Sequence, residues 1–182
     1  MSFLYTSHFM TLDGVVTDPD VWHPRFVSDE SMNRLLEEMD ATSTTLMGRT
    51  TYIEFASFWP TQGDDYPIAR ATNAISKHVV SRTLTDTDAT WGDTTVLRGD
   101  PVEETAALKK EQDVIGVHGS STLTRSLLDA GLVDEVRITL DPAIVGSGER
   151  LFTDGVAAAD LELIDATTYP LGVVQLTYRP AL

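Results

Sequence analysis

Apolar and polar positions change period repeatedly along this chain, and each change predicts an element. "FLYTSHFMTLDG" mixes aromatic, apolar and hydroxyl residues and ends at Asp13-Gly14, which predicts a strand running into a turn. "VVTDPDVWHPRF" is broken by Pro19 and Pro24 and is expected to be loop. Met32, Leu35, Leu36 and Met39 recur at helical spacing, so a helix is predicted from a Ser28 cap to about Asp40. "TTLMG" then reads as a short buried strand, and Arg49 to about Ala56 as a helix. "ISKHVVS" and "TTVLR" predict two more strands. "PVEETAALKKEQ" predicts a helix, with Pro101 early and acids in its first turn. "DVIGVHG" predicts a strand and "SSTLTRSLLDAG" a helix closed by Gly131. "VDEVRITLDPAIVG" is expected to be a strand, and "LELIDATTYPLGVVQLTYRP" two strands about the turn Pro170-Leu171-Gly172.

Strands alternating with helices and then a strand-rich end predict an α/β fold. Its sheet is expected to be mixed but mostly parallel, covered by helices on both faces, with an antiparallel C-terminal edge. At 182 residues and 42% apolar content, the chain fits one domain over residues 1–182 with a core of its own.

Charge narrows the partners. A net charge of −15, from 28 acids and 13 bases, argues against nucleic acid, whose phosphates need a basic face. The acidity fits either a high-salt host, where screening relieves self-repulsion, or a drift in composition; both readings stay open. With no cysteine there is no disulfide framework, no thiolate nucleophile and no cysteine metal site. Without a leader or a membrane-length apolar run, a soluble cytoplasmic protein is expected. His8, His23, His78 and His118 lack ligand spacing, so no metal is expected. Ser120-Ser121 lacks the G-x-S-x-G elbow of a serine hydrolase, and "DTDAT" reads as a polar turn rather than a calcium loop.

The candidate chemistry lies where strands hand over to helices. One junction carries Gly48-Arg49-Thr50-Thr51, the other Gly119-Ser120-Ser121-Thr122. A glycine admits a close backbone approach, and a first helical turn presents unpaired N–H groups with positive potential. Hydroxyls add donors, a combination that suits a phosphate or pyrophosphate. Plain capping by Ser and Thr explains the same residues. Arg49 favours the phosphate reading, and "HVVSRT" brings Ser81 and a second arginine, Arg82, to another strand end. Two arginines favour the 2′-phosphate of NADP over NAD, although the Rossmann G-x-G-x-x-G is absent.

"LDGVVTD", "LMGRTTYIEF", "HVVSRT" and "VHGSSTLTRSLLDAGLVDEVRITLDPAIVGSGERLF" resemble the dihydrofolate reductase superfamily. The branch they most resemble is the C-terminal reductase domain of the bifunctional riboflavin-biosynthesis deaminase-reductase, with its stand-alone relatives. The resemblance implies an NADPH-dependent reductase and a homodimer. It places Gly48, Arg49, Thr50 and Thr51 on cofactor phosphate, and Ser81 and Arg82 at the adenosine 2′-phosphate. Gly119, Ser120, Ser121 and Thr122 would lie along the pyrophosphate. Asp13 and Gly14 would sit at the nicotinamide and substrate end, with Asp13 the candidate catalytic residue. Of Trp22, Trp59 and Trp91, Trp22 is the candidate substrate contact because it sits in the loop after Asp13, with aromatic packing the alternative. The implied substrate is a pyrimidine- or pterin-like heterocycle, as for 5-amino-6-(5-phosphoribosylamino)uracil reductase.

Two departures bear on that substrate. The riboflavin branch commonly has a basic residue after the Asp-Gly, where this chain has Val15; Arg25 or Arg34 are the replacements on offer. Dihydrofolate reductase carries a carboxylate on its first helix. Here Asp29, Glu30, Glu37, Glu38 and Asp40 read as a solvated helix face instead. A dihydrofolate reductase and a non-catalytic nucleotide- or flavin-binding module are the alternatives.

Overall fold

The computed structural model describes residues 2–63, 65–153 and 158–181. Its strands are β1 (Phe3–Thr11), β2 (Thr44–Gly48), β3 (Ser76–Val80), β4 (Thr94–Leu97), β5 (Val114–His118), β6 (Glu135–Asp141), β7 (Leu161–Thr168) and β8 (Val174–Pro180). They form one sheet in the order β4-β3-β2-β5-β1-β6-β8-β7. Neighbours from β4 to β6 are parallel, while β8 runs antiparallel to both β6 and β7. The helices are α1 (Pro19–Trp22), α2 (Asp29–Asp40), α3 (Arg49–Phe58), α4 (Pro67–Ala74), α5 (Pro101–Leu108) and α6 (Ser121–Asp129).

Partners in a parallel register share a face, so Leu4, Ile115, Val117 and Leu46 point the same way. They pack with Leu108 of α5 and with Leu123 and Leu127 of α6. On the opposite face, Met47 and Val79 meet Tyr52 of α3 and Trp91. Strands buried on both faces explain why "TTLMG" and "DVIGVHG" are nearly continuous apolar runs rather than alternating ones. Because the central strands run parallel, all their carboxyl ends open on one edge, where an α/β sheet gathers its ligands.

Three local outcomes depart from the pattern-based reading. The segment expected to be loop holds α1 and a 3₁₀ turn, Pro24–Phe26. Each starts on a proline, and a first helical position does not use the N–H that proline lacks. Helix α4 was not anticipated at all, since only Ile68, Ala69 and Thr72 form its buried stripe. Finally, β6 stops at Asp141 rather than continuing to Gly146, because Pro142 has no N–H for the ladder.

Candidate active site

Strands β2 and β5 are hydrogen-bonded neighbours, so their two junctions lie side by side. Gly119 and Ser120 both have positive φ, at 62° and 57°. This turn aims the Ser120 hydroxyl at β2, where its oxygen accepts from the Gly48 N–H at 2.8 Å. The same hydroxyl donates to Thr51 Oγ1 at 2.8 Å. Ser120 therefore staples one junction to the other instead of capping its own helix, and neither α3 nor α6 has a side-chain cap. A Cβ on Gly119 would stand 3.2 Å from Thr51 Cγ2, so glycine here serves close approach as well as positive φ. Ser120→Ala orphans the Gly48 N–H and should cost about 1–2 kcal/mol in urea unfolding.

The remaining hydroxyls and arginines divide. Arg49, Thr50 and Arg82 are exposed, and neither arginine forms an ion pair among the described residues. Ser81 is buried, and its oxygen accepts from the Thr83 and Leu84 N–H groups, which shapes the turn presenting Arg82. Ser121 is drawn elsewhere: its hydroxyl donates to Glu149 at 2.6 Å. Glu149 also receives Arg125 at 3.0 Å, and the Ser121 hydrogen bond leads in holding its carboxyl below the usual range. Thr122 Oγ1 accepts from Arg125 at 3.0 Å.

At the end of β1 the structure gives Asp13 a tethering position. Thr11 Oγ1 donates to it at 2.6 Å, while the N–H groups of Gly146 and Val145 donate at 2.8 and 3.3 Å. Led by the Thr11 bond, these hydrogen bonds lower its pKa, so Asp13 is a poor proton source near neutrality. Gly14 turns with φ 82°, and Arg150 Nε donates to the Asp13 carbonyl at 2.9 Å. Trp22 does not face a substrate. It is 4% exposed, and its Nε1–H is spent on the Thr17 carbonyl at 2.9 Å, so it props the loop from beneath. Val15 is buried as well. Neither replacement for the missing basic residue is free: Arg25 lies over the Phe26 ring and Arg34 pairs with Glu37 and Glu38.

Under α2 lies a cleft that the sequence reading missed. Its floor includes Ser7 and Phe9 of β1, Thr139 of β6 and Gln175 of β8. Ser7 links it to the junctions, since its carbonyl accepts the Gly119 N–H at 3.3 Å. Glu38 enters from α2 and contradicts the expected solvated face: its side chain is only 3% exposed. Gln175 donates to Glu38 Oε1 at 2.9 Å and Tyr169 donates to Gln175 at 3.0 Å, whereas Glu38 Oε2 has no hydrogen-bond partner. Burial dominates and raises the Glu38 pKa against the pull of Arg137 and Arg34. His23 closes another side, stacked on Phe9 with centroids 3.8 Å apart and bonded through Nδ1 to Asp141 at 2.7 Å. A signal did exist: Glu38 precedes Met39 and joins the inward side of the stripe, and "DP" ends a strand with an acid.

A model of the RibD C-terminal domain matches residues 2–175. The chain belongs to the RibD C-terminal domain family. A curated relative within reach is the uncharacterized protein YyaP of Bacillus subtilis, 26% identical over 93% of this chain and 90% of its own. Among solved structures, a putative riboflavin biosynthesis protein from Shewanella sp. PV-4 is similar with TM-score 0.76 and 22% identity, each chain fully covered. The deaminase/5-amino-6-(5-phosphoribosylamino)uracil reductase of Thermotoga maritima is similar at TM-score 0.71 and 15% identity, over 99% of this chain and 57% of that one. Dihydrofolate reductase from Enterococcus faecalis, complexed with NADP(H), shares the fold at TM-score 0.60 and 17% identity, over 99% and 97% of the two chains. This RibD C-terminal domain fold has, among the described residues, no helix long and apolar enough to cross a membrane and no acid–histidine group placed for a metal.

Proposed function

We propose that this protein is an NADPH-dependent reductase of a pyrimidine- or pterin-like heterocycle, most similar in chemistry to 5-amino-6-(5-phosphoribosylamino)uracil reductase. The observation that carries the reading is the staple: Ser120 ties two uncapped helix starts into one donor surface at the carboxyl ends of β2 and β5. Two adjacent first turns, neither with a side-chain cap, suit a pyrophosphate. Gly48, Arg49, Thr50, Gly119 and Ser120 would hold it, with Thr51 setting the position of Ser120. Ser121 and Thr122 contribute through backbone N–H, because their hydroxyls are engaged by Glu149 and Arg125. Arg82, presented by the Ser81 turn, would reach the adenosine 2′-phosphate. When bound, the cofactor supplies hydride to an electron-poor C=N or C=O carbon. The cleft reached through Ser7 would hold the heterocycle, with Asp13 and Gly14 ordering its rim.

A pterin substrate gains support from Glu38. A buried carboxylate with one unpartnered oxygen suits the N–H groups of a 2-amino-4-oxo ring. A homodimer fits the exposed edge strand β7, where Leu163 and Ile164 are 52% and 40% exposed. A cysteine-free chain fits a cytoplasmic setting.

The test is spectrophotometric NADPH oxidation over pyrimidine, pterin and dihydrofolate substrates; binding without oxidation would favour the non-catalytic module. Arg82→Ala should weaken NADPH about 10-fold or more and NADH much less, the difference being one charge-assisted phosphate contact, whereas Arg49→Ala should weaken both coenzymes. Equal losses for the two coenzymes in Arg82→Ala would remove Arg82 from the 2′-phosphate.

A further inference from the structure

Resting on the reductase reading, we infer that His23 is the proton donor of the reaction and that Asp141 is its positioning residue. The sequence offered no donor, and Asp13 is held as a hydrogen-bonded carboxylate. The pair is assembled by the fold: Asp141 is the last residue of β6, in register with Thr11 of β1, and His23 follows α1 directly. Asp141 is fully buried, and only one of its oxygens has a partner, the His23 Nδ1 at 2.7 Å. A buried carboxylate bonded to Nδ1 keeps that nitrogen protonated, so in either charge state the tautomer is fixed and Nε2 is the nitrogen left for chemistry. Nε2 makes no hydrogen bond among the described residues, and the ring lines the cleft. Stacking on Phe9, nearly parallel at 24°, restricts the ring's tilt. The arrangement is that of an acid–base catalyst with its orienting partner, a combination general acids require.

The step balances as follows. The Nε2–H bond breaks and its proton forms an N–H bond on the nitrogen of the substrate's C=N, or an O–H bond on a carbonyl oxygen. The carbon of the same double bond takes the hydride of the reduced nicotinamide, the only reductant required. His23 is left as neutral imidazole with its Nδ1–H still on Asp141, and water returns the proton. The other titratable groups lining the cleft are Glu38 and Tyr169; both hydrogen-bond Gln175 rather than His23.

Four measurements test this. His23→Gln should lower kcat about 10²–10³-fold, change the pH profile of kcat/KM, and leave NADPH affinity unchanged. His23→Gly should recover activity with added imidazole, which a purely structural histidine would not permit. Asp141→Asn should lower kcat at least 10-fold without altering NADPH affinity. Independently of turnover, 5,6-diaminouracil added to the cofactor-free protein should shift the His23 ring proton resonance, identified by its through-space contact with the Phe9 ring. If His23→Gln keeps its rate and pH profile, the assignment fails while the reductase reading stands. If the unsubstituted protein oxidises no NADPH with any heterocycle, both fall. Should His23→Gln not fold, an unmoved His23 resonance in the unsubstituted protein overturns the proposal.

Discussion

Lowering the pH from 7 to 4 is expected to cost the fold about 3 kcal/mol through His8 alone, read as a fall in urea stability. His8 is buried on the α6 side of β1, where its Nε2 shares a hydrogen bond with Thr124 Oγ1 at 3.0 Å. Burial, helped by His118 and Arg125, pulls its pKa from 6.5 down to about 4. Between those values the unfolded chain binds a proton that the folded chain refuses. Stability is therefore complete above pH 6.5, erodes as pH falls, and is fully lost to this group below about 4. His118 is held to about 4 by burial and Arg137 and adds a loss in the same window. That second loss is smaller than burial alone would give, because the residue is partly exposed. Glu38 works in the opposite direction, since a carboxyl with a raised pKa gains by taking up its proton. So does relief of self-repulsion, as a chain of charge −15 approaches its pI near 4.4. The decisive quantity is thus a difference: His8→Gln should flatten the stability profile relative to the unsubstituted protein, with the charge background common to both. Parallel profiles would show that His8 is not the sensor.

The histidine result also marks how far a sequence can be read. "VVS" after His78 and "VIGVH" announce buried parallel strands because both faces are covered and the apolar runs are long. The two glycine-led junctions were legible as strand ends meeting helix starts, and the register of β2 with β5 brings them together. What Ser120 does was not legible. Its positive φ turns a residue type that ordinarily caps its own helix into a tie across two strands, and only the fold supplies the second strand. Trp22 was misplaced for a related reason: loop location was taken as exposure, yet α1 folds its ring inward. His23 and Asp141 stand 118 positions apart, so no spacing rule joins them. Glu38 escaped because acids on a helix are usually solvated, and the arginine that makes its burial tolerable comes from β6.

Arg137 is expected to be the costliest single truncation around Glu38. Its guanidinium lies 4.0 Å from the centre of the Tyr5 ring, holds Glu135 at 2.9 Å and stands 3.8 Å from Glu38 Oε2. Arg137→Ala leaves two largely buried carboxylates without their main cation and strips one face of Tyr5. A loss of about 3–5 kcal/mol in denaturant unfolding follows. Glu38→Gln should behave quite differently. The Glu38 carboxyl is one whose burial outweighs its partners, since its pKa is raised despite two nearby arginines. A neutral amide keeps the shape and can still accept from Gln175, so stability should be unchanged or higher. Combined with Arg137→Ala, it should recover part of the loss, with a coupling of about 1–2 kcal/mol. Additive losses would mean that Arg137 acts through Tyr5 and Glu135 alone. The same Glu38→Gln substitution carries the functional question. If the unpartnered oxygen serves the N–H edge of a heterocycle, the stabilised variant should bind that heterocycle more weakly while its cofactor affinity is untouched. A protein that becomes firmer and a poorer binder through one isosteric change is retaining a buried charge for its ligand, a cost that folding by itself would not select.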